Sequence, residues 1–179
     1  AAKEKGYTVL LLDSPIVPHL LQKLETSKEN ISFARVDSDA VENLIKKKEE
    51  SISKLDETQI TTLKEKVEGV VKDTGYIIQT EALSSDALPF MLTEPEFMRR
   101  MKDMQKTGGG GFMGQNMPDM YNLVINTNHP LASEILETKT DKKREKLIRQ
   151  ALDLAKLSKG VLKGADLSAF IKRSVDLIK

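Results

Sequence analysis

The chain contains no cysteine, which removes disulfides, zinc-thiolate sites and thiol nucleophiles together. Histidine is scarce as well: His19 and His129 are the only two, and no HExxH pattern occurs. His129, with no cysteine or neighbouring histidine to complete a metal site, reads as part of a helix start. An excess of one charge is also lacking. Lysine plus arginine (28) almost cancels aspartate plus glutamate (27), so no net field draws the chain onto nucleic acid or anionic lipid. No apolar run approaches the roughly 18 residues of a membrane span, and Ala1 to Gly6 lacks the apolar core of a signal peptide. Without such a signal, the glycosylation pattern Asn30-Ile31-Ser32 carries little weight. Catalytic constellations are missing too. Ser14 with His19 lacks a credible acid and oxyanion geometry, and no carboxylates lie in a run with the marks of a catalytic pair. These absences describe an interaction module rather than an enzyme, with no metal site.

What is present is 179 residues, 39% of them apolar and 31% charged, enough for one large soluble domain or two small ones. All seven methionines (Met91, Met98, Met101, Met104, Met113, Met117, Met120) fall between positions 91 and 120, where an even scatter would place about one.

The first 55 or so residues read as a strand-helix-strand crossover. Tyr7 to Leu12 is an apolar run of buried-strand type, and Ser14 and Pro15 start a helix with the stripe Ile16, Leu20, Leu21 and Leu24. Ile31, Phe33 and Val36 alternate as a second, parallel strand. Asp39 and Glu42 suggest a capping box for a helix carrying Val41, Leu44, Ile45, Ile52 and Leu55, with Lys48 interrupting the stripe. Such a unit is too small to stand well alone and is expected to complete a larger domain. Lys46 to Glu50 forms a charged boundary, read as a solvated face rather than a basic signal.

A second module follows. Asp56 and Gln59 form a capping box, and Ile60, Leu63, Val67, Val70 and Val71 keep the helical period until Gly75. Tyr76 to Leu83 and Pro89 to Thr93 read as an antiparallel pair around Ser84-Ser85-Asp86, and Tyr121 to Asn126 is the clearest strand. Three helices close the chain. The first starts at His129-Pro130 with Leu131, Ile135 and Leu136 inward. The next starts near Asp141 and carries Leu147, Ile148, Ala151, Leu152, Leu154, Ala155 and Leu157 until Gly160. The last is capped by Asp166 and shows Leu167, Phe170, Ile171, Ser174, Val175 and Ile178 near a coiled-coil spacing. Lys142, Lys143 and Arg144 sit badly in a first helical turn, where the helix dipole disfavours cations.

Gly109, Gly111 and Gly114 spell GxGxxG, but the dinucleotide motif needs a strand before the glycines, and here a helix precedes them. They read as a flexible hinge. The helix before them, opened by Glu94-Pro95, sets Phe97, Met98, Met101 and Met104 against Arg99, Arg100, Lys102 and Lys106. Such a stripe is either core or exposed surface. Methionine in place of leucine, the glycine tether and the irregular continuation through Phe112, Met113 and Met117 lean towards an adaptable binding surface. The Leu147 to Leu157 helix is apolar around much of its circumference. A second face is therefore left to bury, and a two-fold four-helix bundle satisfies it better than a fold-back within one chain.

The segments GYTVLLLDSPIVPHLLQKL, PEFMRRMKDM, YNLVINTNHPLASEIL and LSAFIKRSVDLI, in that order, resemble the C-terminal part of the heat shock protein 90 chaperone family in its bacterial form. The resemblance implies an α+β fold, with residues 1–54 ending a middle domain and 55–179 forming a dimerisation domain whose mobile methionine helix and hinge span 94–118. It implies homodimerisation through Leu147, Ile148, Ala151, Leu152, Ala155, Leu167, Phe170, Ile171, Val175 and Ile178 in a four-helix bundle. Contact with non-native client proteins falls to Phe97, Met98, Met101, Met104, Phe112 and Met113. ATP and magnesium belong to an N-terminal domain of the family outside this stretch, so no cofactor is expected here, and the setting is cytoplasmic. The chain ends Asp176-Leu177-Ile178-Lys179, without the acidic pentapeptide by which eukaryotic members dock helical-repeat co-chaperones. The alternative function is a stand-alone adaptor that captures apolar helices or signal sequences in a methionine-lined groove.

Overall fold

A computed structural model of the chain describes residues 6, 8–14, 16–31, 33, 35, 36, 52–72, 75–95, 98–102 and 120–178. The expected capping box at Asp39 and Glu42, its stripe at Val41, Leu44 and Ile45, the charged run 46–50 and the glycine hinge lie outside the described residues. The architecture is mixed α+β. In chain order come α1 (Val17–Ser27), α2 (Glu57–Val71), β1 (Ile77–Glu81), β2 (Phe90–Thr93), β3 (Asn122–Asn126), α3 (Pro130–Glu137), α4 (Asp141–Ser158) and α5 (Gly164–Ile178). Residues 98–102 are also helical. The chain divides into two compact units, Ala1–Lys47 with Thr93–Met120, and Lys48–Leu92 with Tyr121–Lys179.

In the second unit, α2 is set by the capping box legible in the sequence. The Asp56 carboxylate accepts from the Gln59 N–H at 2.8 Å, and the Gln59 side-chain oxygen accepts from the Asp56 N–H at 3.0 Å, so two otherwise orphaned donors are satisfied. Leu63, Val67 and Val71 are buried along one stripe, and α2 packs against β1, α3 and α4. The sheet order is β1-β3-β2, with β1 and β3 parallel and Ile77 opposite Asn122 through Glu81 opposite Asn126. The central position of β3 explains its unbroken apolar run: Leu123, Val124 and Ile125 are all fully buried, as a strand covered on both faces requires. Leu123 and Ile125 join one core with Leu63, Val67, Phe90, Ile135 and Ile148.

That order corrects the expected β1–β2 hairpin. A local turn does form, with the Ala87 N–H donating to the Ser84 carbonyl at 3.1 Å. The ladder partner between the two strands is nevertheless β3, and Pro89 at the head of β2 accepts from the Asn126 N–H at 2.9 Å. A short polar turn predicts reversal of the chain but not what inserts between its arms.

α3 starts where expected, with His129 as N-cap and its Nδ1 accepting from the Leu131 N–H at 3.0 Å. α4 ends at Gly160, whose φ of +75° suits glycine, and the Val161 N–H returns to the Lys156 carbonyl at 2.9 Å. Gly164, at φ +59°, opens α5 two residues before Asp166, which lies within the first turn and is not the cap. Among the cations at the start of α4, Arg144 has a structural reason. Its guanidinium pairs with Asp141, and it donates to the Thr138 carbonyl and, at 3.4 Å, to the Ile135 carbonyl. It thereby satisfies carbonyls at the end of α3.

Among the described residues of the first unit the crossover strands are not formed. Residues 8–13 adopt no regular structure, and Val9, Leu10, Leu11 and Leu12 are exposed. Residues 31, 33 and 35 are likewise outside any strand. Apolar alternation supplies strand propensity, but a strand exists only with a ladder partner, and none is present for these segments among the described residues. The helix between them does form, two residues later than its expected start. Ile16 is the N-cap, Pro18 falls in the first turn, and no residue of α1 is buried. Ile52 and Leu55 are not helical; Ile52 is exposed and Leu55 joins the core of the second unit.

Candidate functional site

Two places collect the residues singled out in the sequence. The first is the short helical stretch at 98–102. Glu94 is buried and forms an ion pair with Lys102, while the Arg99 N–H donates to the Pro95 carbonyl at 3.2 Å, so the start of the segment is tied locally. Met98 is buried at 9% exposure and Met101 is half-buried. Phe97, Met104, Phe112 and Met113 lie outside the described residues. On the charged side, Arg100 makes a two-pronged contact with Glu25 at 2.7 and 3.1 Å and also donates to the Phe33 carbonyl at 2.8 Å. The Phe33 N–H donates to the same Glu25 carboxylate at 2.7 Å. The hydrogen bond from Arg100, the one from the Phe33 backbone and the nearby guanidinium charge hold the Glu25 carboxyl down to about 2, from an ordinary 4.5. Nothing local in the sequence signals this pair, because its members are 75 positions apart.

The second place is the α4–α5 helix pair. Of the ten expected interface residues, Ile148, Ala151, Leu152 and Ala155 belong to the chain's own core, and Phe170 is buried as well. Leu147 and Leu167 are half-buried, Ile171 and Val175 are exposed, and the Ile178 side chain lies outside the described residues. Leu154 and Leu157 join the exposed set at 44% each, beside Ile171 at 53% and Val175 at 49%. Both leucines stood in the sequence stripe of this helix, but only burial separates them from its core-facing residues.

Polar clamps hold the two helices together. Arg173 on α5 forms an ion pair with Asp153 on α4, and Gln150 on α4 donates to Ser174 on α5 at 2.8 Å; within α4 itself, Lys156 adds a longer contact to Asp153 at 3.9 Å. Burial pushes the Asp153 carboxyl up, and the charges of Arg173 and Lys156 pull it partly back. Among the described residues no group of acidic and histidine side chains could hold a metal ion, and no helix is long and apolar enough to cross a membrane.

Comparison with known proteins gives this geometry a context. Chaperone protein HtpG of Porphyromonas gingivalis is 38% identical over 160 residues, a match that takes in 87% of this chain and 23% of that protein. HtpG proteins of Bacteroides thetaiotaomicron and Bacteroides fragilis are 30% and 31% identical, each over 99% of this chain and 36% of their own length. The chain belongs to the heat shock protein 90 family. It spans about a quarter to a third of the length of these curated heat shock protein 90 relatives. The two Bacteroides matches run over 245 and 253 aligned positions, more than the 179 residues here, so those family members carry residues inside the matched span that this chain lacks. No family model matches the chain.

Proposed function

We propose that this chain joins two protomers of an ATP-dependent chaperone and offers adaptable apolar surface to non-native client proteins. The observation that carries the proposal is the α4–α5 pair, where clamped helices each keep an apolar stripe out of the core: Leu154 and Leu157 on α4, Ile171 and Val175 on α5. Large apolar side chains left exposed in such stripes mark an interaction surface. Pairing the same stripes about a two-fold axis buries them and forms a four-helix bundle. Leu147 and Leu167, half-buried, sit at the edge of that contact, and Ile178 extends it. Ile148, Ala151, Leu152 and Ala155 then act from beneath, as the core that supports α4.

The client surface centres on Met98 and Met101 and continues through Phe97, Met104, Phe112 and Met113, where unbranched thioether side chains adapt to varied apolar partners. In this reading ATP and magnesium act in the family's N-terminal domain, outside the matched stretch. The chain is then no enzyme by itself, its partners are a second copy and unfolded clients, and its setting is the cytoplasm. Replacing Met98, Met101 and Met104 with serine should lower suppression of a heat-denatured client's aggregation severalfold while circular dichroism stays unchanged. Full suppression by the folded triple variant would return these methionines to a structural role.

A further inference from the structure

The methionine segment is docked in this conformation, and one long-range contact ties it to α1. Met98 is 9% exposed, so an apolar client cannot cover it until the segment shifts. The Lys102–Glu94 pair spans only eight residues and secures the segment to its own start. Arg100 reaches much farther along the chain. Both prongs of its guanidinium meet the Glu25 carboxylate near the end of α1, and one also meets the Phe33 carbonyl. Glu25 in turn accepts from the Phe33 N–H, so a single carboxylate gathers α1, the backbone at Phe33 and the methionine segment.

We propose that the Glu25–Arg100 pair is a releasable latch that keeps the methionine segment docked, and that opening it uncovers Met98 and Met101. The use of that uncovered surface rests on the client-binding function proposed above; the latch itself does not. Arginine suits the task because its planar fork meets both carboxylate oxygens at once, which a lysine ammonium cannot do. Release is feasible because the pair is not sealed: the Arg100 side chain is 36% exposed and that of Glu25 20%, and partly exposed ion pairs contribute modestly and weaken with salt. A ligand that binds only the released segment shifts the equilibrium by its differential affinity. The Glu25 carboxyl, held at about 2, stays ionised around neutral pH, so the latch answers to competing charge or apolar ligand and not to mild acid.

The absence of cysteine provides a clean probe. In the intact protein carrying Met98→Cys, the reaction rate with a thiol reagent should rise at least tenfold when Glu25→Gln is added. Ala151→Cys, at a core position 2% exposed in the second unit, should stay slow in the same background. An unchanged rate at position 98 overturns the latch. Should Glu25→Gln also speed labelling at position 151, Arg100→Lys decides: it keeps the charge but loses the fork, and it must raise labelling at 98 with 151 silent. No rise there overturns the proposal. Faster labelling together with stronger suppression of client aggregation supports latch and client surface alike. Faster labelling with flat suppression supports the latch and removes the client function.

Discussion

His129 shows how one side chain can be structural and titratable at once. Its Nδ1 accepts from the Leu131 N–H, which places the proton of the neutral ring on Nε2 and leaves no acceptor once Nδ1 is protonated. Burial lowers its pKa from the ordinary 6.5. The unfolded chain therefore takes up the proton more readily, and this contribution to stability is complete above about pH 6.5 and fades as pH falls through the folded-state value. Asparagine caps without titrating. His129→Asn should therefore shrink the difference in unfolding free energy between about pH 7.5 and about pH 5.5, measured by urea titration. An unchanged difference would separate the cap from the pH response. Asn126 carries comparable responsibility without titrating. It is fully buried, its oxygen accepts from the N–H groups of Leu83 and Asn128, and its amide donates to the Ser84 carbonyl. Asn128 extends the knot to Ile52, Lys54 and Leu83. The sequence places Asn126 at a strand end but cannot show this role, because its partners at 83 and 84 are more than forty positions away.

Several helix boundaries were legible because the governing chemistry is local, although the caps expected at Ser14 and Asp166 are not the ones used. The Asp56–Gln59 box, Pro130 after His129 and the left-handed Gly160 each act within a few residues. Strands were legible as propensity and not as pairing. Residues 77–81 and 90–93 were recognised, yet their partner β3 lies about thirty residues beyond β2 and further still beyond β1, whose Ile77 pairs with Asn122, and the apolar run after Tyr7 found no ladder among the described residues. Of the misplaced cations of α4, Arg144 became intelligible only through tertiary contact, since it serves the preceding helix. Its side chain is 16% exposed, and its removal leaves the Ile135 and Thr138 carbonyls short of a donor. Arg144→Ala should cost about 1–2 kcal/mol in urea unfolding. Arg144→Lys should recover less than half, since a single ammonium cannot reproduce the fork. Full recovery by lysine would reduce the contact to simple charge.

At the scale of the whole molecule, the order of segments revealed the family, and the relatives bear it out. The roles of the last two helices were only half legible, because heptad-like spacing identifies apolar helix faces without saying which face the chain uses for itself. Ile148 and Ile171 look alike in the sequence; one is fully buried in the core and the other is 53% exposed. The two positions should therefore respond differently to a charge. Ile171→Asp places a carboxylate where the proposed pairing needs apolar contact, and the folded monomer loses nothing essential. Multi-angle light scattering of the chain at micromolar concentration should give twice the 20.0 kDa chain mass, and Ile171→Asp should give the single-chain mass with an unchanged helical signal. A wild-type chain that runs as a monomer, or an Ile171→Asp variant that remains a dimer, would contradict pairing through this face.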